Sequence, residues 1–80
     1  MQMNQLISKR IRKLIKERKW TNYYLARRAG IPCFTLYYVL GANGETVKIT
    51  TLLNICRGFD ITINDFFNDE MFELENIADD

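Results

Sequence analysis

Apolar side chains recur along this chain at helical spacing, and nowhere do they alternate as in a strand. Ile7, Ile11, Leu14 and Ile15 fall at i, i+4, i+7 and i+8 beneath a coat of basic residues, which predicts a helix from about Gln5 to Arg18 with Asn4 as its N-cap. Trp20 anchors the connection that follows. Behind Thr21, whose hydroxyl suits an N-cap, a second helix of about Asn22 to Ala29 turns Leu25, Ala26 and Ala29 inward. Gly30 and Ile31 turn the chain. Pro32 opens a third helix, where its missing N–H costs nothing, and Gly41-Ala42-Asn43-Gly44 stops it near Leu40. A fourth helix, about Ile49 to Gly58, is expected to bury Leu52, Leu53, Ile55, Cys56 and Phe59. Thr62 starts a fifth, with Asp65 at the capping-box position and Ile63, Phe66 and Phe67 turned inward. From Asp69 the chain is acidic but carries Met71, Phe72, Leu74 and Ile77, a spacing that fits one further amphipathic helix or a segment that orders only on contact. The fold class is all-α.

The stretch from Asn22 to Val39 narrows this further. It places small or apolar residues where two short helices joined by a tight turn must touch. Ala26 leaves room for a close crossing, Gly30 supplies a backbone site free to take positive φ, and Ile31 and Leu36 fill the angle between the helices. That arrangement is a helix-turn-helix, and it directs attention to DNA.

Composition sets outer bounds. The chain has 80 residues, 48% of them hydrophobic, enough for one domain with a modest core. No apolar run approaches a membrane span, and the first ten residues lack the long apolar stretch of a secretory signal. Two cysteines, Cys33 and Cys56, do not make a disulfide framework, and without histidine no metal or cofactor site is expected; the cytoplasm is the simplest location. No nucleophile–base pair or phosphate loop points to an enzyme or a small-molecule substrate. The net charge of +1 hides a strong asymmetry. Residues 1–28 hold nine Lys or Arg against Glu17, whereas residues 58–80 hold eight acids and no base. The basic pole is the one that can meet phosphates, with Lys9 and Arg10 as its expected contacts and the rest of the helix-one coat a solvated face.

Together with TLLNICRGFDITINDFF, the Asn22–Val39 pattern resembles the Cro/C1 (XRE-type) helix-turn-helix family of phage and bacterial regulators. The likeness covers roughly residues 5 to 68 and rests on Leu25-Ala26, Ala29-Gly30-Ile31, Leu36, Val39, Thr51-Leu52, Ile55-Cys56 and Phe59 through Phe67. It implies a five-helix, lambda-repressor-like domain over residues 1–68, with the helix-turn-helix at 22–40 and an acidic tail at 69–80. It also implies that the third helix enters the major groove of double-stranded DNA. The family's phosphate-contacting Gln at the start of helix two matches Asn22. Its base-reading positions match Cys33, Phe34, Thr35, Tyr37 and Tyr38, and its phosphate-contacting loop matches about Asn43 to Lys48. Many members pair a buried Arg in helix one with a Glu ending helix three; here these positions read Ile15 and Leu40, apolar on both sides.

The outward set of helix three is unusual for a base reader, since it lacks Gln, Arg, Lys and Asn. Phe34 and the Thr35 methyl suit thymine methyls, and the Tyr37 and Tyr38 hydroxyls suit phosphates or a base acceptor. Within the pairs Tyr23–Tyr24 and Tyr37–Tyr38 helical geometry cannot bury both neighbours, so at least one ring of each pair is expected to face out, the plainer reading being that the other packs. Tyr23 joins the DNA-binding candidates, as does Arg28, which lies nearer the groove side of helix two than Arg27. The sequence reading is a transcriptional repressor that dimerises through helix five and a tail helix carrying Phe72; a flap over the basic face and a disordered end are the other readings of the tail. The alternative function is a helix-turn-helix scaffold for protein–protein contact, in the manner of an antitoxin.

Overall fold

The computed structural model describes residues 1–41 and 47–77. Five α-helices follow one another with no strand among the described residues: α1 (Met3–Arg18), α2 (Asn22–Ala29), α3 (Cys33–Gly41), α4 (Ile49–Phe59) and α5 (Ile63–Phe67). Two single-turn 3₁₀ segments follow, Glu70–Phe72 and Leu74–Asn76. The all-α, five-helix class is the expected one.

Local chemistry sets where each helix begins. The Thr21 hydroxyl accepts the Tyr24 N–H at 3.0 Å, and Thr62 and Asp65 close a reciprocal capping box, both as the sequence indicates. The first helix starts two residues earlier than expected. Gln2 takes the cap position because the Gln5 side chain reaches back to its N–H at 3.0 Å, while Asn4 accepts the neighbouring Gln5 N–H.

Three helices end alike. Lys19, Gly30 and Asp60 adopt left-handed backbone at φ 57°, 68° and 59°. The N–H of the next residue then returns to the helix, Trp20 to Ile15 O at 3.0 Å, Ile31 to Ala26 O at 3.1 Å and Ile61 to Cys56 O at 3.0 Å. Trp20, Ile31 and Ile61 fold against the edge of the core as a result.

That core joins Ile7, Ile11, Leu14 and Ile15 of α1 to Leu25, Ala26 and Ala29 of α2, Leu36, Val39 and Leu40 of α3, Leu52, Ile55, Cys56 and Phe59 of α4, and Phe66 of α5. The helix α1 packs on α3, α2 packs on both α3 and α4, and α5 packs on α4. Ile15 and Leu40 both belong to this apolar cluster. In α4 the inward stripe runs Leu52, Ile55, Cys56, Phe59, which leaves Leu53 a third of a turn away and exposed beside Ile49, not buried as expected.

Over its described residues the acidic tail forms 3₁₀ turns and not the α-helix that its spacing fits. Asp69 diverts the backbone by accepting the Met71 N–H at 3.0 Å, and Lys13 and Arg10 of α1 hold its carboxylate at 2.6 and 3.6 Å. Extended backbone at Glu73 then separates the two 3₁₀ turns. Phe72, expected to face a second protomer, instead packs edge-on to Phe67 at 4.8 Å and tilts against Phe66 at 6.1 Å. The tail thus lies across part of α1.

Candidate nucleic-acid interface

Leu36, Val39 and Leu40 turn one side of α3 into the core, and the opposite side is left open. Phe34, Tyr37 and Tyr38 stand at i, i+3 and i+4 on that open side, each exposed, with Phe34 the most so at 76%. Thr35 at their edge is half-buried. Cys33, read from the sequence as a fifth outward position, packs against the core instead, because it shares a face with Leu36 and Leu40. No residue of α3 is charged.

Beside it, α2 begins with half-buried Asn22 and carries Tyr23 and Tyr24 outward. All four tyrosines are exposed, so each pair has an outward ring as expected and the plainer reading, that the other packs, does not hold; Tyr24 has a ring neighbour, Trp20, edge-on at 4.9 Å. The Arg27 guanidinium sits 5.9 Å from the Tyr23 ring in an open cleft of about 510 Å³ lined by Thr21, Tyr23, Tyr24, Arg27 and Arg28. The sequence reading passed over Arg27, although its spacing of four from Tyr23 on one helix was the available signal. Exposed Lys48 caps the start of α4. Asn43 lies outside the described residues.

A family model, the Cro/C1-type HTH DNA-binding domain, matches residues 10–71. The chain belongs to this family. Neither a curated protein nor a solved structure matches it. As a Cro/C1-type domain it is a DNA-binding regulator.

Most of the basic coat of this Cro/C1-type domain has work inside the fold. Arg10 is buried, not available to phosphates as expected: its Nε donates to Phe66 O at 2.7 Å and its Nη2 to Asp65 O at 2.9 Å, at the end of α5. Arg12 Nη2 and the Ser8 hydroxyl donate to Leu40 O at 3.1 and 2.7 Å, at the end of α3. Arg18 Nη1 donates to Phe59 O, and Arg28 Nε to Gly58 O at 2.6 Å, at the end of α4. The last carbonyls of a helix lack partners within it and carry partial negative charge, so a guanidinium there satisfies hydrogen-bonding and electrostatic needs at once. Trp20 completes the α4 end by stacking on Phe59 at 5.5 Å, with Arg18 and Arg28 lying 5.2 and 5.0 Å from its ring. Arg28, a candidate DNA contact from the sequence, is thus tied to α4 through its Nε.

Two ionisable groups are shifted. The Lys13 hydrogen bond, joined by the Met71 N–H, holds the Asp69 carboxyl below the ordinary aspartate value against the opposing effect of burial. Burial raises the Cys56 thiol, keeping it protonated within the core. Of the side chains around the helix-turn-helix, Phe34, Thr35, Tyr37 and Tyr38 on α3, Asn22, Tyr23 and Arg27 on α2, and Lys48 just before α4 face outward at least in part.

Proposed function

We propose that this domain is a cytoplasmic transcriptional repressor, of the kind phages and mobile elements carry, that occludes a promoter by seating α3 in the major groove. The observation that carries the reading is the open Phe34–Tyr37–Tyr38 face of α3, the helix that follows the turn of the helix-turn-helix. Asn22 and the Tyr23–Arg27 pair of α2, together with Lys48 and Asn43, would hold phosphates and set the register. Phe34 and Thr35 would meet base edges, with Tyr37 and Tyr38 reaching phosphates or a base acceptor. Selection from random duplexes tests this directly: enrichment of a palindrome supports it, whereas no retained DNA at low salt counts against it.

The protein is proposed to act as a homodimer, so that two copies of α3 meet two half-sites about one DNA turn apart. With Phe72 turned inward, the apolar group of the α5–tail region left to form that contact is Leu74, 87% exposed. Leu74→Asp should shift the chain to monomer in analytical ultracentrifugation, and a variant as dimeric as its parent argues against this surface.

A second reading is favoured by the same face. Four exposed tyrosines and an uncharged α3 also suit a protein partner. Tyr37→Ala/Tyr38→Ala separates the two readings by whether DNA or protein binding is lost.

A further inference from the structure

We infer that this domain selects its DNA through the C5-methyl groups of pyrimidines, with Phe34 as the residue that sets the preference. The inference rests on the seating of α3 proposed above. Base pairs are ordinarily told apart in the major groove by paired hydrogen bonds from Arg, Lys, Gln or Asn, or by a carboxylate accepting from cytosine. Between Cys33 and Gly41 the chain has none of these. Its three hydroxyls, on Thr35, Tyr37 and Tyr38, each make a single-point contact that many base edges satisfy.

What α3 projects instead is apolar. Phe34 lies in the first turn, the part of a recognition helix that meets base edges, and it has no ring partner among the described residues. A phenyl ring held out by the fold at 76% exposure gains by losing water, and the apolar group that the major-groove floor offers is the pyrimidine C5-methyl. Tyr37 and Tyr38, one turn further along, continue the same exposed face. The Thr35 methyl is at the edge of the same patch. The ligand chemistry is therefore a 5-methylpyrimidine in a duplex, supplied either by thymine or by 5-methylcytosine.

Burying one methyl group corresponds to about a fourfold change in affinity. The test uses the full chain in fluorescence anisotropy at low salt, against pools of one random-sequence duplex library copied with different nucleotides. One pool contains thymine, one has deoxyuridine in its place, and one has deoxyuridine together with 5-methylcytosine for cytosine. The expected result is at least a fourfold loss on replacing thymine by uracil, and substantial recovery when 5-methylcytosine is added. Phe34→Ala, at a site outside the core, should keep the parent Tm and bind all three pools within about twofold of one another. Equal binding of the three pools by the parent overturns the inference while leaving DNA binding intact. Failure of 5-methylcytosine to restore binding overturns it as well, since the methyl group would not be the feature read. Phe34→Ala that retains the discrimination removes Phe34 from the role. No binding to any pool overturns the seating of α3 itself.

Discussion

A carbon added to Gly58 would stand 2.9 Å from the Ala29 backbone nitrogen and 3.0 Å from its Cα, so α2 and α4 meet there with no room for a side chain. Because the obstruction is backbone and not a flexible side-chain tip, it cannot swing aside. Gly58→Ala should therefore cost about 1–3 kcal/mol, read as a lowered Tm in thermal unfolding. Ala29 is half of the same contact, which explains its small size at a position where the sequence alone shows only an apolar residue. Cys56, two residues before Gly58, is nearly inaccessible and its thiol is raised by burial. Alkylation of Cys56 should therefore require unfolding, with the modification rate in native buffer tracking global stability when followed by mass spectrometry.

At the scale of the helix, the ends matter more than the middles. Four arginines of α1 and α2 donate to the terminal carbonyls of α3, α4 and α5, and removing one leaves its acceptor without a charged donor. Arg10→Met is expected to be the most damaging, at about 2–4 kcal/mol in chemical denaturation, because Arg10 serves two carbonyls and Asp69 from a buried position. The tail adds a pH dependence of definite sign. Asp69 titrates below its unfolded value, so its contribution is present above about pH 4 and is lost as pH falls through the lowered folded value. Asp69→Asn should accordingly lower Tm at pH 5–8, and the gap to the parent should close on acidification below pH 4. Caps such as Thr21 and Thr62, and the stripe of α1, were legible in the sequence because their partners lie within a turn or two. The arginine partners were not, since they lie between 28 residues away for Arg12 and 56 for Arg10. Neither was the tail, whose spacing fits a helix and whose path is set by the pull of Lys13 and Arg10 on Asp69. In the candidate site, Phe34, Tyr37 and Tyr38 were readable from period alone, and the same period puts Cys33 on the inward face with Leu36 and Leu40, against the role that the family resemblance implies for it.

For the whole molecule, the basic and acidic ends of the sequence are tied together at Asp69. Arg10 and Lys13 meet Asp69, and Arg12, Arg18 and Arg28 donate to backbone at helix ends, which leaves Arg27 and Lys48 as the cations of the proposed interface. Binding to DNA should therefore depend weakly on salt for a DNA-binding protein. Two to three phosphate contacts per protomer correspond to a slope of about −2 to −3 per protomer in log K against log salt, or about −4 to −5 for the proposed dimer, checked by anisotropy titration across salt concentrations. A steeper slope would mean that residues now tied to carbonyls are released to the DNA. The arginine-capped ends carry one more consequence. Stability is held by residues that point into or along the bundle, and the outward face of α3 contributes little to it. Substitutions at Phe34, Tyr37 and Tyr38 can therefore accumulate without unfolding the chain, so under the proposed seating of α3 a lineage can acquire new operators while its scaffold stays unchanged.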